Sequence, residues 1–182
     1  AVVHSDYAEY FETTDGGSIA VGSSVVLEGG KVRAAQAGEN PIGVIRPNGT
    51  SSVVGNDPWN HWKYRYLRDD FGAYLREAYT ITEWTDDDGE FQSYATDGIP
   101  DDAIPPDDAT ISSTDKSGEP WMRKVENPDY DDSLEYVKRE DRDEWVIVGL
   151  MGQVPISKGQ PLADSWVKMR DVSDSVEFYF IK

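Results

Sequence analysis

The stretch His4-Ser5-Asp6-Tyr7-Ala8-Glu9-Tyr10-Phe11-Glu12 brings together a hydroxyl, three carboxylates and an imidazole beside aromatic and apolar side chains. Tyr7, Tyr10 and Phe11 would bury the segment and draw Asp6, Glu9 and Glu12 partly out of water. Desolvation disfavours a charged carboxylate and raises its pKa, which suits a group that must take or give a proton near neutrality. The same pattern also describes an ordinary strand with a negatively charged edge, and the residues alone leave both readings open. In an extended strand, positions 6 and 9 point to opposite faces. Joint action of Asp6 and Glu9 would therefore need a local kink or a neighbouring subunit.

The elements that could position this segment are mostly strands. Residues 18–35 read as two strands around Gly29-Gly30, whose freedom at positive φ suits a tight hairpin. Ile42 to Ile45 form a short apolar strand between Pro41 and the Pro47-Asn48-Gly49 turn. Residues 62–84 hold two extended aromatic stretches separated by Asp69-Asp70-Phe71-Gly72, and their alternation favours strands over helices. Residues 144–156, EWVIVGLMGQVPI, are apolar enough for a central strand, bent at Gly149 or Gly152. SVEFYFI, at 175–181, closes the pattern with another strand. One short helix fits, over 132–143, with Leu134 and Val137 on one side. A compact antiparallel β-barrel or sandwich-like domain is the expected fold. The opening residues lack a Met and a basic-then-apolar leader, so they read as the interior of a longer polypeptide.

Between Glu83 and Glu119 the chain carries twelve acidic residues against one base, Lys116. With proline and aspartate at turn spacing, this reads as a long, loop-rich surface insertion. Within it, Asp86-Asp87-Asp88-Gly89-Glu90 lacks the alternating ligands and closing Glu of an EF-hand loop, so a solvated hairpin turn is the better reading.

A chain of 182 residues with 38% hydrophobic content can bury a core and does not resemble a disordered segment. Its formal net charge of −18 opposes binding to nucleic acid or anionic lipid. With no cysteine and two histidines, thiolate chemistry is excluded and a His-rich metal site is not expected. No apolar run approaches the roughly 20 residues of a membrane helix. Phosphate-cradling glycine loops, zinc-type His-Glu pairs and the Gly-x-Ser-x-Gly elbow are all missing, and no cofactor is expected.

The segment Ser5 to Glu12 resembles the opening motif of the intramolecular-chaperone autoproteolytic cleavage domain, a glutamic-type self-cleaving peptidase family of phage tail spikes, neck appendages and tail fibres. The similarity continues in order through Pro41-Ile42-Gly43-Val44-Ile45, Val53-Val54-Gly55 and the Trp62 to Gly72 stretch. It resumes at Asn127-Pro128-Asp129-Tyr130-Asp131 and again from Glu144 to Gly152. The resemblance implies a C-terminal chaperone that helps a trimeric spike fold and then cuts itself away. It places the cleaved bond at Ser5–Asp6 and gives catalysis to Glu9; chemically, Glu9 would deprotonate the attacking water while Asp6 helps to protonate the leaving amine. Residues 1–5 would be the spike remnant and residues 6–182 the self-cleaving domain, with 83–119 as its insertion. The partners implied are two further copies, in a homotrimer, and the upstream spike segment. Assembly would take place in the host cytoplasm, and the domain would either be released or, if uncut, stay in the virion tail.

Other routes remain open. Ser5 could attack the preceding carbonyl in an acyl shift that breaks His4–Ser5, with His4 as base. A non-cleaving adhesin would use the aromatic cluster Trp59, Trp62, Tyr64 and Tyr66 with His61, Lys63 and Arg65, although such a cluster also suits a buried strand with a basic outer face. A trimerisation or decoration module is the third alternative, since the stretch from Val25 to Ile45 resembles small β-barrel decoration domains.

Overall fold

The structure is a computed structural model that describes residues 5–56 and 64–182. Its contacts divide the chain into two compact units, residues 1–61 with 135–182, and residues 62–134. His4, Trp59, His61, Trp62 and Lys63 lie outside the described residues.

The first unit is built on one eight-stranded sheet. Its strands are β1 (Asp6–Glu12), β2 (Ser24–Glu28), β3 (Lys31–Ala34), β4 (Gly43–Arg46), β5 (Val53–Gly55), β11 (Trp145–Ser157), β12 (Val167–Asp171) and β13 (Val176–Ile181). The order runs β12-β13-β11-β4-β2-β3, and β1 joins the sheet by pairing with both β11 and β5. The sheet stays open, with β12 and β3 at its ends, so the sandwich-like alternative holds and the closed barrel does not. Nor is it wholly antiparallel, because β1 and β5 run parallel.

β11 organises this unit. It pairs with β1 over residues 145–152, with β4 over 147–149 and with β13 over 152–157. The bend expected at one of its glycines coincides with Gly152, which has a φ of 111° where the pairing with β13 begins. Val148, Val154 and Ile156 are fully buried along the same strand. Burying such side chains contributes about 1.5–3 kcal/mol each. Close backbone approach matters too. A Cβ on Gly43 would lie 2.3 Å from the Gly149 carbonyl oxygen, so β4 can reach β11 there only without a side chain. The Gly29-Gly30 turn behaves as its sequence predicts, with both residues at positive φ between β2 and β3.

The second unit holds β6 (Arg76–Ala78), β7 (Ile81–Thr85), β8 (Phe91–Ala95), β9 (Thr110–Ser112) and β10 (Met122–Lys124). They form a two-stranded sheet, β10-β6, and a three-stranded sheet, β8-β7-β9. Residues 83–119 thus contain strands of their own within a compact unit. The Asp86 to Glu90 turn joins β7 to β8, and the Asp86 carboxylate accepts the backbone N–H groups of Asp88 and Glu90. The aromatic stretch before Gly72 is less regular than alternation predicts. Tyr66 and Arg68 make only isolated bridges, to Glu126 and Tyr74.

Among the described residues helical structure is confined to two short 3-10 turns, Thr96–Gly98 and Arg139–Asp141. The helix expected over 132–143 therefore shrinks to its last residues. Leu134 and Val137 are exposed, so the apolar face that would hold such a helix finds no partner. Arg139 is instead buried, with its guanidinium 3.6 Å from the Trp145 ring centre and donating to the Asn56 carbonyl.

Candidate active site around Ser5 and Asp6

β1 begins at Asp6, and its alternation decides which side chains can meet. Asp6, Ala8 and Tyr10 are buried, whereas Tyr7 is exposed and Glu9 is half-buried. The expectation for positions 6 and 9 is met: they face opposite sides of an extended strand. Three residue steps also separate them by roughly 10 Å along β1. The one irregularity of β1 against β11 is a register shift at Tyr7/Ala8.

The Asp6 carboxylate is closed off from solvent. Arg46 Nε donates to Oδ2 at 3.1 Å, and the side chains of Arg46 and Asp6 are 5% and 0% exposed. Arg46 also donates from Nη2 to Oδ1 at 3.4 Å, and the Ser51 hydroxyl donates to Oδ2 at 2.8 Å. A buried carboxylate needs such partners, because an unpaired charge in this setting costs several kcal/mol. β4 supplies Arg46 as its last residue, and the turn after it, closed by the Thr50 hydroxyl on the Pro47 carbonyl, delivers Ser51. The Ser52 N–H then donates to the Asp6 carbonyl at 3.0 Å.

Ser5 sits at the other end of the same peptide bond. Its carbonyl oxygen accepts the Gln153 N–H at 3.3 Å, while its hydroxyl donates to the Gln153 carbonyl at 3.4 Å. On the outer face, the Tyr7 phenol donates to Glu9 Oε1. This hydrogen bond to a carboxylate is the leading cause that holds the Tyr7 pKa above its ordinary value, with burial and the Glu9 charge adding to it. Gly55 makes room for the pair, since a Cβ there would stand 2.9 Å from the Tyr7 phenol oxygen and 3.0 Å from Glu9 Cγ.

The structure thus gathers Ser5 and Asp6 at one point and sets Glu9 apart from them. Arg46, Ser51 and Gln153 stand beside this bond, and nothing in the sequence marks Ser51 or Gln153. Arg46 directly follows the apolar run Gly43-Val44-Ile45, where a lone cation in a buried strand calls for a buried anion. Among the described residues, no group of three or more His, Cys, Asp or Glu is arranged to hold a metal ion. No helix is long and apolar enough to cross a membrane, among the same residues.

The chain is 36% identical to the pre-neck appendage protein of Bacillus phage B103 over 84% of its own length, and 32% identical to that of Bacillus phage phi29 over the same share. It spans only 14% of the length of those relatives. Among solved structures, pre-mature bacteriophage phi29 gene product 12 matches with a TM-score of 0.66 at 26% identity, covering 98% of this chain and 21% of that one. The C-terminal fragment of the same gene product matches with a TM-score of 0.62 at 26% identity, covering 97% of this chain and 100% of the fragment. The family described as Peptidase_G2, IMC autoproteolytic cleavage domain, matches residues 1–177. A family model that matches residues 1–177, together with a relative 36% identical over 84% of the chain, admits one conclusion: the chain belongs to this autoproteolytic cleavage domain family.

Proposed function

We propose that this chain is the C-terminal intramolecular chaperone of a phage neck appendage, tail spike or tail fibre, and that it frees itself by hydrolysing Ser5–Asp6. The observation that carries the reading is how the fold grips that bond. Arg46 and Ser51 fix the Asp6 side chain, while β11 holds the Ser5 carbonyl. The match to the whole of a C-terminal fragment supports a place at the end of a longer polypeptide. The pre-neck appendage relatives support association with the virion; assembly would take place in the host cytoplasm. Residues 1–5 are then the end of the appendage, and residues 6–182 the domain that is released.

In this reading the catalyst is glutamic, and Glu9 acts from a neighbouring copy in a homotrimer. The placement of Glu9 and Asp6 on opposite faces of β1 favours that arrangement over catalysis within one chain. Glu9 takes a proton from a water molecule as its oxygen bonds to the Ser5 carbonyl carbon. The proton then passes to the Asp6 nitrogen as the C–N bond breaks. Because the Asp6 carboxylate already accepts from Arg46 and Ser51, its part is to hold the leaving side in place. Val53, Tyr7 and Met151 stand side by side in adjacent strands and are exposed, which supports their being covered on assembly. Juxtaposition of bond and base can be worth an effective molarity of ~10^5–10^8 M, and only the assembled oligomer would supply it.

The test is expression with a longer upstream segment, followed by N-terminal sequencing of any fragment. A new end at Asp6, abolished by Glu9→Gln, is expected. An end at Ser5 would mean the acyl shift instead. Glu9→Gln chains co-assembled with copies that start at Asp6 should regain cleavage, and failure to do so sinks catalysis between copies. A full-length chain that persists in virions points to an adhesin or decoration module.

A further inference from the structure

The Ser5 carbonyl oxygen occupies a space that the sequence has kept clear. Asp6 pairs with Gly152 in the ladder between β1 and β11, which sets Ser5 against Gln153. A Cβ built on Gly152 would lie 2.3 Å from the Ser5 carbonyl oxygen and 3.3 Å from its carbon. No side chain could stand there without moving the bond. Gly152 also has a φ of 111°, a conformation that residues with a Cβ rarely adopt. Two features therefore restrict this position to glycine, and the missing Cβ is what admits the carbonyl oxygen.

We infer that the Gln153 backbone N–H stabilises the oxyanion that forms on Ser5 during hydrolysis, and that Gly152 admits the oxygen to it. The inference rests on the reading that Ser5–Asp6 is the bond cut. When the water oxygen bonds to the Ser5 carbonyl carbon, the carbonyl π pair moves onto the oxygen. That pair returns as the C–N bond breaks, and the nitrogen carries away the proton the base removed from water. In the intact bond the N···O distance is 3.3 Å, longer than the usual 2.9–3.0 Å of an amide hydrogen bond. Room to shorten is what the reaction needs, since an interaction accelerates a step only by being stronger in the transition state. The pairing of Gln153 with Phe180 of β13 does not compete, because the N–H points to Ser5.

β11 also offers a clean way to remove the donor. Pro155 lies two residues on, on the same edge of the strand, and is accommodated without an N–H. Two variants of the chain with its upstream segment test the idea: Gln153→Pro, and replacement of residue 153 by the α-hydroxy acid analogue of glutamine, whose ester bond has no N–H. The rate at which the fragment beginning at Asp6 appears is measured in each, with the thermal transition as a check on folding. The proline and ester variants should be slower by roughly 10²–10³-fold, the loss typical of one oxyanion donor. Should the proline variant fail to fold, the ester, which keeps both strand and side chain, decides. An ester variant that cuts within tenfold of the parent overturns the oxyanion role and leaves cleavage at Ser5–Asp6 standing. A parent that never cuts, or cuts elsewhere, overturns both.

Discussion

Replacing Arg46 with methionine isolates the contact that fixes Asp6. The guanidinium stands 3.1 Å from the carboxylate, with 5% of one side chain and 0% of the other exposed. Methionine fills much of the same volume but leaves the carboxylate with the Ser51 hydroxyl in place of the full set of donors. Breaking a buried pair from one side costs about 3–5 kcal/mol, because the remaining charge stays out of water. Ser51 survives, so the lower end of that range, about 3 kcal/mol, is expected. With a urea dependence of about 2 kcal/mol per molar, the unfolding midpoint should fall by roughly 1.5 M. Far-UV circular dichroism follows the transition, and hydrogen exchange of the β1 and β11 amides assigns the loss to this sheet. A second variant, Asp6→Asn with Arg46→Met, removes both charges and should recover at least half of the loss. A single-variant cost below about 1 kcal/mol, the value of an exposed pair, would refute the reasoning. So would a double variant no more stable than the single one.

Two further outcomes follow from the ionisable groups. Tyr7 titrates above its ordinary value of 10.0 because its phenol donates to Glu9, so Glu9→Ala should return the midpoint towards 10.0 in an ultraviolet titration, and an unmoved midpoint would remove the contact from consideration. Glu39 is held at about 2, against an ordinary 4.5, chiefly by the Arg33 guanidinium and then by the Gln36 N–H. Its folded value lies below its unfolded one, so the contribution to stability is complete above about pH 4.5 and is lost as pH falls through about 2. Carboxyl NMR should find the midpoint near 2 in the parent and raised towards 4.5 in Arg33→Gln, where the Gln36 N–H remains; a parent midpoint near 4.5 denies the pairing.

The strands that were legible in the sequence are those whose own residues specify them. Gly29-Gly30 between β-branched runs fixes a hairpin locally, and the apolar lengths of β11 and β13 leave little alternative to burial. β12 was not legible. Val-Lys-Met-Arg-Asp is exposed throughout, and it becomes a strand because β13 offers it a ladder of hydrogen bonds. The helix over 132–143 failed for the converse reason. Its spacing is helical, but Leu134 and Val137 meet no surface, and Asp131 closes a turn on Ser133 instead. At the site, period-two alternation was enough to place Asp6 and Glu9 on opposite faces of β1. The partners of Asp6 were beyond such reasoning, because Arg46 and Ser51 lie 40 and 45 residues further along the chain. Only the register of β4 and the turn after it brings them there. Gly152 is a middle case, visible as a bend in a strand but silent about which atom needs the space.

The position of β1 between β11 and β5 bears on what a cut at Ser5–Asp6 could accomplish. Hydrolysis would open one covalent bond in a strand that the sheet clasps along both edges. The new ammonium of Asp6 would lie beside its own buried carboxylate, and the new carboxylate of Ser5 would still face β11. A nicked molecule of this kind keeps its shape: two bands on a denaturing gel, one particle in solution. Scission and departure are then separate events with separate clocks. The ends held face to face would also favour resealing until something pulls them apart. Parting would be governed by the grip on the few residues upstream of the break, and the strand that presents the bond would stay behind as part of the sheet.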